Sequence, residues 1–163
     1  MIQIRKLQED EVTQFVQTHI ECWEETYLSF FSKSVYESRR KNKEKRISHI
    51  KRRIDHPDYH YYAVWDDFNI VGIMIFTTIL KEAVLDAIYI KKNYQNKKVG
   101  VQLLQTLAND LKQQEISCYS VYVFEMNMAN QFFLHLGAKK KGEDWISIHG
   151  KDYKEIEYEM AVR

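Results

Sequence analysis

The sequence predicts a mixed α/β fold: a mostly antiparallel central sheet of six to seven strands, with helices on both faces. Two observations predict it. Stretches in which apolar residues alternate with polar ones are interleaved with stretches in which they recur every three or four positions. Some strand runs are joined by tight turns, which demand antiparallel pairing, while strand-helix-strand connections demand parallel pairing. At 163 residues the chain suits one domain, taken as residues 1–163.

The elements follow in order. Ile2 and Ile4 alternate with polar neighbours, a short strand signal. Val12, Phe15, Val16, Ile20, Trp23 and Tyr27 then recur at helical spacing, after an acidic run Glu9-Asp10-Glu11 that suits a helix N-terminus. Between Arg39 and Arg53 stand nine basic residues and one acid, Glu44, with Ile47, Ile50 and Ile54 as a helical stripe. Pro57 ends that helix. Tyr61 to Trp65 and Ile70 to Thr78 read as strands joined by the turn Asp66-Asp67-Phe68-Asn69. Ala83 to Ile90 is a third run. A polar loop, Lys91 to Lys98, leads into a helix with Leu103, Leu104, Leu107 and Leu111 on one face. Ser117 to Phe124 is another strand. Asn127 to Leu136 is a short helix stopped by Gly137. Two last strands flank the turn His149-Gly150-Lys151-Asp152.

Composition excludes several classes. Lys and Arg number 24 against 23 Asp and Glu, so bulk charge does not hold the protein to nucleic acid or membrane. No DNA or membrane partner is expected. Hydrophobic residues at 45% and aromatics at 13% are too many for a disordered chain. Cys22 and Cys118 lack metal-ligand spacing and read as small buried hydrophobes. The six histidines show no such spacing either, so no metal is expected. Met1 to Lys6 carry no apolar run of the signal-peptide kind, and no run approaches the roughly 20 residues of a membrane span. The expected location is the cytoplasm.

The stretch from Leu85 to Leu111 carries the chemistry. A strand ends, a polar loop turns, and a helix begins near Lys98. Free N–H groups and the positive dipole end at such a helix start suit a phosphate. Gly100 lets a ligand approach the backbone. Lys91, Lys92, Lys97 and Lys98 add positive charge.

Tyr89 to Leu104 resembles motif A of the GNAT superfamily of acetyl-CoA-dependent N-acetyltransferases, [Q/R]-x-x-G-x-[G/A]. Gln95 and Gly100 match, while Lys98 replaces the first glycine. Asn127 to Ala138 resembles the family's N-x-x-A-x-x-F-Y-x-x-x-G-F. There Asn127 and Gly137 match, Asn130 and Ala138 depart, and the tyrosine falls on Phe133. The element order also resembles small bacterial members.

The resemblance implies a parallel strand pair that splays into a slot. The pantetheine arm of acetyl-CoA would pair with the backbone near Ile88, Tyr89 and Ile90. The pyrophosphate would sit on the amides of Gln95, Asn96, Lys97, Lys98, Val99, Gly100 and Val101. Asn127 and Phe133 would lie near the sulfur end, and Trp23 and Tyr27 near the acceptor.

Acetylating an alkyl ammonium needs a base, because its pKa is near 10. Asp86 is the candidate. Strand alternation places it on one face with Ile88 and Ile90, and an acid within an apolar strand is costly unless it has a function or a partner. The competing reading is an Asp paired across the strand or facing solvent. Glu82 and Glu125 are weaker candidates. Phe133 has no proton for the departing thiolate; Tyr122 or Tyr94 could substitute. The expected function is transfer of acetyl to a primary amine by direct attack in a ternary complex. A polyamine is the first acceptor to test, with protein amines and aminoglycosides open. The alternatives are a non-catalytic acyl-CoA-binding module and an RNA- or ribosome-associated protein using residues 39–53. A homodimer is left open.

Overall fold

The computed structural model describes residues 1–163. Strands β1 (Ile2–Lys6), β2 (Tyr59–Asp66), β3 (Asn69–Ile79), β4 (Glu82–Ile90), β5 (Cys118–Phe124), β6 (Lys139–Ile148) and β7 (Lys151–Ala161) form one sheet in the spatial order β1-β2-β3-β4-β5-β7-β6. Every neighbouring pair is antiparallel except β4 with β5. The helices are α1 (Val12–Thr26), α2 (Lys33–Lys41), α3 (Lys43–Arg53), α4 (Val99–Gln113) and α5 (Ala129–His135).

Two cores sandwich the sheet. Leu103, Leu104, Leu107 and Leu111 of α4 bury against Val64, Met74, Phe76, Leu85 and Val121. On the opposite face Phe15, Val16 and Ile20 of α1 and Ile47 and Ile50 of α3 bury against Tyr61, Ala63, Ile73 and Ala87. Each buried Leu or Phe contributes roughly 1.5–3 kcal/mol relative to exposure. The apolar spacing read in the sequence therefore marks the buried faces of α1 and α4. Glu11 fixes the entry to α1: its carboxylate accepts two bonds from Arg5, at 2.9 and 2.6 Å, and one from the Gln8 amide at 2.8 Å.

The structure corrects two local expectations and adds a turn the sequence did not announce. The basic stretch is two helices, broken at Asn42 (φ −85°, ψ 5°). The halves serve different partners, since Val35 of α2 joins an aromatic cluster while Ile47 and Ile50 of α3 reach the sheet. Cys22 is buried, but Cys118 is exposed at the start of β5. The β3–β4 turn falls on Leu80 and Lys81, both left-handed (φ 52° and 67°), with no Gly or Asn to announce it. Gly137 does cap α5 as its position suggests. It adopts φ 94°, and the Gly137 and Ala138 amides donate to Leu134 O and Phe133 O, both at 3.0 Å.

Candidate active site

Strands β4 and β5 pair at only two positions, Val84 with Ser120 and Leu85 with Val121. Beyond them β4 stays on β3 as far as Ile90, and β5 stays on β7 as far as Phe124. The gap-facing edge of β4 from Asp86 onward thus has no strand partner. A cleft opens there, lined by Asp86, Ile88, Tyr89, Tyr122, Tyr27, Asn127 and Phe133 among others.

A bulge lies at the head of this cleft. Leu85 pairs with Phe76 and Ala87 with Ile75, so Asp86 has no cross-strand partner. Such an extra residue shifts the side-chain alternation by one. Leu85, Ile88 and Ile90 face α4, whereas Ala87 joins the α1 core. Asp86 therefore does not share a face with Ile88 and Ile90. It lies on the α1 side, close to Thr77 and Tyr61. Strand alternation alone misplaced it, because nothing in its sequence marks the bulge. The Asp86 side chain is exposed along the cleft, yet desolvation by the surrounding protein raises its pKa, with the Thr77 side chain opposing the shift.

At the other end of the cleft, α4 begins. Lys98 (φ 65°) and Asn96 (φ 61°) are left-handed. The first bond into the helix runs from the Gln102 amide to Lys98 O at 3.0 Å. None of the amides from Asn96 to Val101 has a protein acceptor. Such a run of free N–H groups at a helix start suits an anion. The Gln95 amide is already bonded to Lys92 O at 3.2 Å, and its side chain donates to Ile90 O at 2.9 Å. Gln95 thus braces the loop against the end of β4. Gly100 has a packing role that the sequence did not show: a Cβ there would meet Phe132 Cζ at 3.1 Å.

The middle of the cleft carries hydroxyls. The Asn127 side-chain amide donates to Tyr27 Oη at 2.8 Å, while its oxygen accepts from the Ala129 amide at 2.8 Å. The Tyr89 hydroxyl adjoins that of Tyr27. Burial is the main cause raising both phenol pKa values, so both keep their protons at neutral pH. Of the other tyrosines considered, Tyr94 is tied to Asp66 at 2.5 Å, on the β2–β3 hairpin. Tyr122 lines the cleft with about half of its surface open to solvent, its pKa raised by partial desolvation and by the charges of Glu157, Glu155 and Glu82.

The family model of the Acetyltransferase (GNAT) family matches residues 13–138. The chain belongs to this family. It is an N-acetyltransferase of GNAT type, with acetyl-CoA as its co-substrate. A spermidine N(1)-acetyltransferase of Thermoplasma acidophilum is 28% identical over 147 residues, covering 88% of this chain and 91% of that one. The crystal structure of a PaiA N-acetyltransferase from the same organism, in complex with coenzyme A, superposes with a TM-score of 0.75 at 26% identity, over 96% of this chain and 98% of that one. A probable acetyltransferase of Staphylococcus epidermidis has a TM-score of 0.77 over all of both chains; at 16% identity it speaks for the fold alone.

Within this GNAT protein the second motif needs a correction of register. Asn127 to Gly137 spans one position fewer than the family pattern. Anchored on Gly137, the pattern puts Ala129 and Phe132 on its alanine and phenylalanine and Phe133 on its tyrosine, and Asn127 falls one place late. Phe133 is buried in the α4 core. Asn130 is a brace for the end of β5, because its side-chain amide donates to Phe124 O and Asn127 O at 2.9 and 2.7 Å.

The aromatic end divides in two. Trp23 is buried, stacked on Phe31 at 5.1 Å and covered by the Arg39 guanidinium at 3.9 Å. It does not line the cleft; Tyr27 does. Sequence reasoning placed Tyr27 and Tyr89 at the site but missed the contact between their hydroxyls, and it missed Arg39 as a cover. Their only sequence signal is an aromatic at helical or strand spacing, which core residues share.

Proposed function

We propose that this protein, as a single domain over residues 1–163, transfers acetyl from acetyl-CoA to a primary amine by direct attack in a ternary complex, and that the acceptor is a polyamine. The observation that carries the reading is the opening of β4 from β5 beyond Leu85 and Val121, with free amides at the start of α4. The gap-facing edge of β4 around Ile88, Tyr89 and Ile90 offers its main-chain groups to the pantetheine arm, as an added strand would. The amides from Asn96 to Val101, with Lys97 and Lys98 beside them, take the pyrophosphate.

Acetyl-CoA supplies an activated acyl carbon and a thiolate leaving group. The acceptor attacks as its neutral amine, the ammonium proton having passed to solvent, and Asp86 accepts the second proton, which turns acidic as the C–N bond forms. The protein around Asp86 raises its carboxyl pKa, which strengthens it as a base, although its side chain still reaches solvent. The main-chain edge of β4 donates to the developing oxyanion. Tyr27, held by Asn127 and flanked by Tyr89, gives its proton to the departing sulfur.

Charge supports a cationic acceptor. Asp86 and Tyr122 line the same cleft, and the charges of Glu157, Glu155 and Glu82 bear on Tyr122. Glu155 stands opposite Asp144 in the β6–β7 ladder, and its pKa is raised by burial and by that neighbour. A second ammonium on the acceptor would relieve this crowding. The similarity to a spermidine N(1)-acetyltransferase points the same way. The test is thiol release from acetyl-CoA across spermidine, simple monoamines, aminoglycosides and a lysine peptide. Spermidine should exceed a monoamine of equal length by about tenfold or more in kcat/KM, the scale of one charge-assisted contact. Equal turnover of the two would overturn the polyamine assignment, and no thiol release with any amine would overturn the transfer itself.

A further inference from the structure

Where α2, the break at Asn42 and α3 meet lies a cavity of about 300 Å³, lined by Arg39, Asn42, Lys45, Arg46 and His49. Every lining residue is basic or a neutral amide. Neither Arg39, Arg46 nor Lys45 makes a salt bridge, and the nearby acid Glu24 is held by Arg40 at 2.6 Å. Arg39 Nε and Arg46 Nη1 are buried and have no hydrogen-bond partner. Arg46 instead spends Nη2 on His19 Nδ1, at 2.5 Å. Two half-buried guanidiniums brought together without a counter-charge are costly. Buried donors without protein acceptors call for an oxygen from outside the chain, and the uncompensated charge beside them favours an anion over water. The strain is visible in Arg39, whose pKa falls to about 10 through burial and the charge of Arg46.

We propose that this cavity binds an oxyanion group, a phosphate or a carboxylate, through Arg39, Arg46 and Lys45, with Asn42 and His49 as flanking donors. Guanidinium forks match such oxygens in a bidentate manner. The site is separate from the amides at the start of α4 and does not depend on the acetyltransferase reading. It does border the acceptor region: Arg39 covers Trp23, and His19, bonded to Arg46, packs on Tyr89 at 5.1 Å. The anion can therefore be a free ligand or the tail of an acceptor.

Inorganic phosphate, titrated calorimetrically into the full chain at constant ionic strength, is the probe. Saturable binding should weaken about tenfold in Arg46→Gln and about threefold in Lys45→Gln, an exposed position whose loss leaves folding intact. Lys97→Gln, at the pyrophosphate loop, should leave this binding within twofold. Absence of saturable phosphate binding, or binding that both Arg46→Gln and Lys45→Gln leave unchanged, overturns the site. Turnover of O-phosphoethanolamine against ethanolamine then separates the sources. A preference for the phosphorylated amine of about tenfold, lost in Arg46→Gln, assigns the site to the acceptor's tail and displaces the polyamine. Phosphate binding without that preference assigns it to a free anion.

Discussion

At the α4 end of the cleft the binding groups are consecutive main-chain amides, Asn96 to Val101, presented by one loop and one helix start. At the α1–α2 end they are side chains from distant segments. Tyr27 closes α1, Tyr89 lies on β4, Asn127 follows β5, and Tyr153 comes from β7 to pack on Phe31 at 4.8 Å. The first end needs only a local chain path and tolerates most side chains. The second exists only once the sheet has formed, and it changes with any residue in it. Substitutions at the amide end should therefore alter affinity for coenzyme A. Those at the side-chain end should alter turnover and acceptor choice.

The largest effect is expected at Asp86, at the head of the cleft where β4 leaves β5. Asp86→Asn should lower kcat about 100-fold or more, the lower range for loss of a general base, with coenzyme A affinity within about twofold. Stability should move the other way. The folded pKa of Asp86 lies above its ordinary value of 3.8. The folded state then binds the proton more readily, and stability is lost as pH rises through that window. At pH 8 the variant should melt at or above the wild-type temperature, and the difference should vanish below about pH 4. A variant that loses activity and stability together at pH 8 would make Asp86 a structural residue.

Tyr27→Phe comes next. It removes the hydroxyl that Asn127 contacts at 2.8 Å and keeps the ring in its aromatic cluster. If Tyr27 protonates the leaving sulfur, kcat should fall about 100-fold, the low end for loss of a general acid, while the KM for acetyl-CoA holds. Phe133→Tyr sharpens the contrast. Phe133 is buried yet borders the cleft, so the added hydroxyl costs about 1–3 kcal/mol unless it finds a partner there, and kcat should not rise while Tyr27 is the donor. Equal kcat for Tyr27→Phe and wild type would move the proton donor to Tyr89 or to water.

What the sequence made legible divides along the same line. The α4 end could be read because Gln95, Gly100 and the polar loop lie within a few residues of one another. Even there, Lys98 in place of a glycine hid a left-handed residue. The helices and strands were legible from their periodicity wherever one face is buried, as in α1 and α4. Three features were not. The Asp86 bulge is defined by its partner strand, since Phe76 and Ile75 decide the register. The Leu80-Lys81 turn uses left-handed residues of types that rarely adopt that conformation. The pairing of Arg39 with Trp23, and of Arg46 with His19, joins segments separated by a helix break that only differing burial partners produce.

At the amide end, Val101→Asp tests the pyrophosphate site without disturbing the fold. Val101 is exposed in the first turn of α4, where an acid favours the helix dipole. The melting temperature should hold or rise slightly. The same charge repels a diphosphate, so coenzyme A should bind about fivefold to tenfold more weakly, and less so at high salt. Gly100→Glu would be a poorer test, because its Cβ would also press on Phe132. Unchanged coenzyme A affinity in Val101→Asp would place the diphosphate elsewhere.

The smallest effect is expected at Lys98→Gly, which restores the family's glycine. Lys98 holds φ at 65°, a conformation that costs a side-chain-bearing residue roughly 1–2 kcal/mol. Glycine removes that strain but gives back about 0.4–1 kcal/mol through the freer unfolded chain. The net gain is then about 0–1.5 kcal/mol, or up to about 5 °C in melting temperature for a chain of this length. Coenzyme A affinity should fall about twofold or threefold at low salt, as one positive charge leaves, and match wild type near 1 M salt. A drop in melting temperature would mean that the Lys98 side chain contributes more than its backbone conformation costs. The loop would then owe its shape to that side chain, and the contrast between a main-chain end and a side-chain end would fail at the residue where this chain departs from its family.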